Sequence, residues 1–529
     1  MDPKPSRYYD AFVNSIVRRY HDGTKHDFGR FARSLGYLDW SSQPNPFRSF
    51  DGAPAFPLYP APGVPADGAG GLARLLGDVL RHSLGLSAWK QFGASRWSLR
   101  VNPSSGNLHP TEAYVIAGPA IGLAATPAVY HYAPDRHALE QRCAFEEPGW
   151  QLAAGDPPAT CLIVLSSIHW RESWKYGERA FRYCQHDLGH AIAAVRIAAS
   201  LVGWQARIEP QWSHADLHTL TGADRDEDFI DAEREEPGCL LRLSAHDQAS
   251  RAGGELVRAV SAGTWTGRAN QLSEDHVQWT FIDEVAEATR DPGRPPVPHR
   301  PTAPSVSPAS RPLVLQRRSA VAFDGRSSLD RSRALAIFER LLPSSEPPWD
   351  AIWWDARIHL AIFVHRVDGL EPGVYLLPRA PAAADRLRRS MRPDFLWEPV
   401  DGAAPLTRLA RGDGRRLAQR LSCDQEIAAD GFMSLAMLAD FEASLDQFGP
   451  SFYRHLFWES GCVGQVLYLE AERAGARGTG IGCFYDDPVH EALGLSGHAF
   501  QSFYHFAMGM PVEDSRLQTE PGYAWEKQG

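Results

Sequence analysis

Apolar positions along the chain follow helical spacing in two long stretches. From Arg179, RAFRYCQHDLGHAIAAVRIAASLVGW sets Leu188, Ile192, Val195, Ala199 and Val202 three or four residues apart, the signature of one buried helical face. From Ser451, SFYRHLFWESGCVGQVLYLEAERAGA repeats the pattern. A single separation of 272 positions joins Arg182 to Arg454, Gly189 to Gly461 and Gly203 to Gly475. The last pair marks the stop that glycine gives a helix. Continuous apolar runs predict buried strands at EAYVIAG from Glu112 and IHLAIFVH from Ile358. Each is followed by a turn and a second strand, GLAATPAVYHY from Gly122 and GLEPGVYLLP from Gly369. A third echo sets PSSGNLHP from Pro103 against PSSEPPW from Pro343. Three echoes in one order predict a tandem duplication with an α+β unit in each half.

Between the halves, Asp291–Pro312 is dense in proline and lacks apolar periodicity, which predicts an extended linker. The expected organisation is a first domain over 1–290, a linker over 291–312 and a second domain over 313–529. Pro54–Pro65 reads as a proline-rich loop inside the first. Composition narrows the class. With 43% apolar and 22% charged residues the chain is a folded globular one. Lys and Arg number 54 against 64 Asp and Glu, a net charge of −10, so neither nucleic acid nor an anionic membrane is an expected partner. No apolar run approaches the ~18 residues of a membrane-spanning helix. The opening MDPKPSRYYDAF has no apolar core and is not expected to be a signal peptide. The seven cysteines form no C-x-x-C pair, which predicts reduced thiols in a cytoplasmic protein.

Four segments carry candidate chemistry. QRRSAVAFDG places Arg317, Arg318 and Ser319 ahead of a helical stretch, two fork-shaped cations and a hydroxyl at a helix entry that suit a phosphate group. LRVNPSSGNLHPTE puts Pro103, Ser104, Ser105, Gly106 and Asn107 in a tight turn just before a strand, with His109 beside it. Ser515–Arg516–Leu517 offers Arg516 as a further phosphate contact. RESWKYGERAFRY sets Lys175 beside Tyr176; a lysine kept partly dry loses pKa and can take a proton, and the tyrosine can relay it. At the 272-residue separation these two map to Gln447 and Phe448, so the second copy keeps the size and loses both titratable groups. His186 and His190 have metal-binding spacing but no third ligand, and no metal is expected. The acidic run Asp224–Glu236 reads as a solvated loop.

Together these segments resemble the nitroreductase family of FMN-dependent oxidoreductases. Arg317–Arg318–Ser319 resembles the family's first flavin-phosphate motif, and Pro103–Asn107 the P-S-S-x-N turn that reaches the flavin from a partner subunit. Gly480, Ile481, Gly482 and Cys483 resemble the loop beside the isoalloxazine ring, and Ser515–Arg516–Leu517 the basic C-terminal element. Family members are usually homodimers with flavins at the interface, so the resemblance implies two tandem nitroreductase-like units folded as an intramolecular pseudo-dimer. It implies FMN held by Arg317, Arg318, Ser319 and Arg516, with Pro103, Ser104, Ser105 and Asn107 lent by the first half. The mirror-related site, with Phe47–Arg48–Ser49, the PSSEPPW turn and Arg251, looks eroded, which implies one FMN per chain. Within the family, WKYGERAFRYCQHDLGH is similar to the SagB/McbC-type dehydrogenases. That implies a peptide-derived or small heterocyclic substrate, with Lys175 and Tyr176 removing a proton while hydride passes to flavin N5. The alternatives are an NAD(P)H-dependent nitro or quinone reductase, and a non-catalytic partner subunit of a biosynthetic complex.

Overall fold

The computed structural model describes residues 7–60, 71–154, 160–245, 253–295, 309–402 and 404–528. Positions 296–308 of the expected linker, 61–65 of the proline-rich loop, and Arg251 lie outside the described residues.

Helix α1 (Arg7–Gly23) precedes a hairpin, β1 (Leu86–Phe92) and β2 (Ser95–Arg100). Five strands follow with a helical interruption: β3 (Thr111–Ala117), β4 (Ala128–Ala133), β5 (Ala138–Ala144), β6 (Thr160–Ser167), then α2 (His169–Tyr176) and α3 (Ala180–Leu201), then β7 (Gln205–Ile208). Strands β8 (Glu236–Ser244) and β9 (Thr264–Trp265) complete an antiparallel sheet in the order β9-β5-β4-β3-β6-β8-β7, with Ala55–Pro57 paired to β5. After residue 309 come β10 (Ile358–Val364), β11 (Gly373–Leu377), β12 (Glu398–Pro399), β13 (Thr407–Arg411) and β14 (Met433–Asp440). Then come α4 (Phe441–Phe448), α5 (Phe452–Arg473), β15 (Arg477–Ile481), β16 (Phe500–Gly509) and β17 (Gln518–Pro521). The second sheet runs β12-β13-β11-β10-β14-β16-β15. From β5 to β7 and from β13 to β15 the two orders correspond strand for strand, while the edge strands differ, since β9 follows β8 in the chain and β12 precedes β13. Helices α4–α5 sit between β14 and β15 as α2–α3 sit between β6 and β7.

The expected helices and strands all form, with one change of environment. Helices α3 and α5 are buried on every side, not on one face: each residue from Ala180 to Ala199 and from Phe452 to Ala471 is buried, because the two helices pack on each other between the sheets. A helix buried all round must satisfy its polar groups internally. Arg182 donates to Thr24 Oγ1 (2.9 Å) and Asp486 Oδ1 (2.8 Å), while Arg454 donates to Thr289 Oγ1 (2.8 Å) and Glu236 Oε1 (3.2 Å). Each of these matched arginines thus finds its acid beyond the opposite helix. The helices approach closely at Gly189 and Gly461, where a Cβ would lie 2.3 Å from Trp458 O and 2.2 Å from His186 O.

The ends of the chain reach across. On α1, His21 lies 3.2 Å from Tyr453 Oη and 3.0 Å from Gln501 Oε1. Strand β17 adds to β1, so β17-β1-β2 form a third sheet. Where the expected linker ends, Arg311–Gln316 is already helical, with the Ser310 hydroxyl accepting from Leu313 N at 3.4 Å. Among the described residues no helix is long and apolar enough to cross a membrane.

Candidate functional site

A cavity of about 490 Å³ opens where the two parts of the chain meet. Its basic end is built by the segment after the short helix Arg311–Gln316. Arg317 is the C-cap of that helix, which corrects the expected helix entry: no N-terminal dipole faces this segment, because the next helix begins only at Arg331. A strand holds it instead. Ser319 bridges Gly478 in parallel fashion, Ala320 N donates to Gly478 O (3.0 Å), and Thr479 Oγ1 donates to Ala320 O (2.5 Å). Arg317 spends Nε and Nη2 on the carbonyls of Val101 and Arg100, each at 3.1 Å. Arg318 donates to Ser87 O (3.0 Å), and burial beside the Arg317 cation pushes its pKa down to about 10. Lys90 and Arg477 join this lining. Arg477 is paired with Glu513; the remaining cations, Arg317, Arg318 and Lys90, and the Ser319 hydroxyl at one end suit a phosphate dianion.

The opposite wall is the Pro103–Asn107 turn. Gly106, Asn107 and His109 have φ of 58°, 60° and 53°, a left-handed stretch that Gly and Asn tolerate. Asp187 on α3 clamps it, accepting from Ser105 N at 3.0 Å and Ser105 Oγ at 3.0 Å. Ser104 Oγ accepts from His109 N (3.0 Å), and Asn107 Nδ2 donates to Ser98 O (3.0 Å). A Cβ on Gly106 would lie 2.6 Å from Tyr176 Oη, so Tyr176 packs directly on the turn. A third wall is Gly480–Cys483. At its two glycines there is no room for a side chain: a Cβ on Gly480 would stand 1.9 Å from Tyr504 Oη and one on Gly482 2.3 Å from Tyr183 Cε1. Trp97, Tyr176, Tyr183, Tyr468 and Tyr504 supply flat faces around the space.

Of the residues singled out from sequence, Pro103, Ser104, Ser105, Asn107, Tyr176, Arg317, Arg318, Ser319, Gly480, Ile481, Gly482 and Cys483 line this one cavity. Lys175 and Arg516 do not. Lys175 Nζ sits 5.2 Å from the Tyr176 ring and 5.8 Å from that of Trp40; burial lowers its pKa against the pull of Glu172. Arg516 is 71% exposed and paired with Asp514 at 2.7 Å: Asp514 and Leu517 line the cavity, but the acid two residues away captures the Arg516 side chain at its rim. Burial and the neighbouring Glu172 hold the Tyr176 phenol well above its usual range, so it keeps its proton at neutral pH.

Sequence reasoning missed a buried acid pair behind this wall. Glu172 is fully buried and neither of its carboxyl oxygens has a donor among the described residues. It faces Asp187, and burial together with that second carboxyl raises its pKa well above the carboxylate range. Two carboxyls placed so close disfavour both being ionised at once. The only sequence signal was Glu172 three residues before Lys175, which reads equally as a surface ion pair. His186 and His190 are spent on aromatic and polar neighbours: His186 stacks on Tyr504 at 4.2 Å and His190 Nε2 lies 3.2 Å from Tyr504 Oη.

Arg48, expected in the mirror-related phosphate motif, is paired inside the first half. Arg48 is fully buried against Glu235 (3.2 Å) and donates to Glu233 O (2.6 Å). Glu233 and Glu235 belong to the acidic run expected to be solvated; both are buried, Glu235 by its pairing with Arg48 and Glu233 by accepting from Leu272 N and Ser273 N.

These layers and the cavity between them define a nitroreductase-like α+β fold, matched over nearly the whole chain. A crystal structure from Anabaena variabilis, provisionally described as a nitroreductase, superposes with a TM-score of 0.67 at 21% identity, covering 94% of this chain and 99% of that one. A Methanocaldococcus jannaschii protein, also provisionally described as a nitroreductase, is 31% identical over 107 residues, 19% of this chain. The chain spans about half (52%) of that relative's length. The microcin synthetase McbBCD complex of E. coli covers 41% of this chain at 18% identity, with a TM-score of 0.29, too low to bear on substrate. No family model matches.

Proposed function

We propose that the chain is an FMN-dependent oxidoreductase in which two nitroreductase-like units, 1–290 and 313–529 joined through 291–312, form an intramolecular pseudo-dimer around one flavin site. The observation that carries this reading is the convergence of Arg317–Ser319, the Ser104–Asn107 turn and Gly480–Cys483, from both halves, on one cavity. The residues fit the cofactor. Its volume is within the ~300–1,000 Å³ of small-molecule sites, its cations suit the phosphate, and its glycine wall and tyrosine faces suit a flat ring. When bound, FMN supplies hydride acceptance and donation. Arg317 and Arg318 would hold the phosphate, Ser104 and Ser105 would orient the ring, and the aromatic walls would exclude water.

The substrate on the favoured reading is a peptide-derived or small heterocycle that loses a hydride and a proton. Tyr176, the one titratable phenol packed on the serine turn, would carry that proton, with Lys175 behind it as the base that receives it. A second reading has its own observation. Lys175 stands outside the cavity lining, and a reductase of nitro or quinone compounds fed by NAD(P)H needs no base there, only the Tyr176 proton as donor.

The test is the absorption spectrum of the purified chain, with the cofactor released by heat and identified by mass. One FMN per chain is the expected result. A colourless protein that stays colourless with added FMN would overturn the reading. Anaerobic bleaching by NADPH alone would select the reductase.

A further inference from the structure

Five of the seven cysteines, Cys143, Cys161, Cys184, Cys239 and Cys462, are buried, and burial pushes every one of these thiols up. Cys423 and Cys483 are different. Both are half-buried, and although 60 positions apart their Sγ atoms lie 2.8 Å from each other. Cys483 follows β15 in the cavity wall, where it is reachable by a small molecule. Cys423 follows the helix Arg415–Leu421 and takes φ of 54°, with Asp424 at 58°. Two consecutive side-chain-bearing residues in the left-handed region are costly, and this turn brings the Cys423 sulfur onto Cys483. Gln425 fastens it there, its Nε2 donating to Cys483 O at 3.0 Å.

The electrostatics divide the pair into two roles. The Cys483 thiol is lowered by its hydrogen bond with Cys423 and by the Arg179 guanidinium, against burial and Asp486. Cys423 is raised by the same hydrogen bond and by burial. His26 Nδ1 stands 3.7 Å from Cys483 Sγ, and burial and Arg179 push its pKa down to about 3, so it stays neutral. A thiol in the cavity wall, with a second thiol in contact behind it, is an attacking and resolving arrangement.

We propose that Cys423 and Cys483 are a reversible dithiol–disulfide pair oxidised by a peroxide. The Cys483 thiolate attacks one peroxide oxygen and the O–O bond breaks. The departing hydroxide takes a proton and leaves as water, and Cys483 becomes a sulfenic acid. The Cys423 thiol then attacks that sulfur. The S–S bond forms, the S–O bond breaks, and the hydroxyl leaves with the Cys423 proton as a second water. Two electrons pass from the two sulfurs to the peroxide, and a small thiol reverses the change by two exchanges. The bond would tie the Cys423–Gln425 turn to the cavity wall and remove the anionic sulfur from it. None of this depends on which cofactor the cavity binds.

The same atoms, with His26, lie within 4.8 Å of one another as three ligands for a metal would. The sulfur separation argues against it. Two thiolates on a tetrahedral zinc with Zn–S of about 2.3 Å stand roughly 3.8 Å apart, and the Arg179 cation donates to Gly482 O at 3.3 Å, within the same loop.

The full chain, reduced and freed of reductant, would be treated with hydrogen peroxide, quenched with N-ethylmaleimide, digested and mapped by mass. The expected result is one cross-linked peptide pair joining Cys423 to Cys483, the other five cysteines alkylated, and full recovery of seven alkylated thiols after dithiothreitol. Cys423→Ser should abolish the cross-link and leave a sulfenic acid on Cys483 that dimedone traps. Seven alkylated thiols after peroxide would overturn the proposal. So would a cross-link to any other cysteine, or a zinc ion that co-purifies and shields the pair from alkylation.

Discussion

Gly461→Ala tests the close crossing of α3 and α5 on which the meeting of the two halves depends. The added methyl would lie 2.2 Å from His186 O, 2.7 Å from His190 N and 2.8 Å from Gly189 Cα. All three are backbone atoms of α3, so no rotamer change relieves the contact. Restoring ordinary separations of about 3.5 Å requires the helices to part by roughly 1 Å. A gap of that size forfeits about a quarter to a half of each dispersion contact it opens, and both helices are buried along most of their length. Overpacking costs ~1–3 kcal/mol, and a purely backbone clash belongs at the upper end. Alanine returns about 1 kcal/mol of helix propensity, leaving a net loss of about 2 kcal/mol. At roughly 1 °C per kcal/mol for a cooperative unit of 529 residues, the melting midpoint followed by circular dichroism should fall by about 2 °C. Gly189→Ala, with its methyl 2.3 Å from Trp458 O, should behave alike. Gly254→Ala is the control: it begins the helix Gly254–Ser261 with nothing within 4 Å of the added carbon, and its midpoint should not fall. A Gly461→Ala midpoint equal to the wild type would refute the close crossing.

Three further outcomes are expected. Replacing Arg317 and Arg318 by Ala removes two charge-assisted donors worth about 1.5–3 kcal/mol each, so FMN affinity, read by flavin fluorescence, should weaken by at least about 100-fold. Arg516→Ala, exposed and outside the lining, should leave it unchanged, and the opposite ranking would reverse the phosphate assignment. Tyr176→Phe should slow substrate oxidation by ~100-fold with FMN still bound, and Lys175→Ala should cost less because a phenol stands between it and the cavity; equal losses would argue for direct proton removal by the lysine. Glu172 has its pKa raised by folding, so the unfolded chain binds fewer protons than the folded one above the ordinary carboxylate range. Its contribution is therefore present at low pH and lost as pH rises through the raised pKa. Glu172→Gln, which cannot ionise, should flatten the alkaline fall of the melting midpoint, and parallel curves for variant and wild type would exclude the buried acid.

Local patterns made much of the fold legible. The helices and strands repeat at fixed spacing, and one separation of 272 positions matched Gly189 to Gly461 and Arg182 to Arg454 before any contact between them could be known. The cavity walls were legible as turn and glycine motifs for the same reason. What failed was whatever depends on which side chain wins a long-range partner. Arg516 looked like a phosphate contact, yet Asp514 lies closer along the chain and takes it. Glu172 drew no reading from its sequence, and only the packing of α2 on α3 buries it beside Asp187. Cys423 and Cys483 carried no signal, since 60 residues separate them and a left-handed turn brings them together.

The contrast between Arg317 and Arg48 unites these points. Both are buried arginines in the two segments that the two-unit reading pairs, Arg317–Arg318–Ser319 and Phe47–Arg48–Ser49. Arg317 satisfies itself on neutral carbonyls, so its charge, with those of Arg318 and Lys90 beside the cavity, is left for an incoming anion, while Arg477 is already paired with Glu513. Arg48 meets the Glu235 carboxylate directly. A buried ion pair is stable only when its charges are matched within the protein, and once Glu235 supplies that match a phosphate brought to Arg48 would add an unpaired buried charge. The acidic run that read as a solvated loop thus closes Arg48 to an incoming anion.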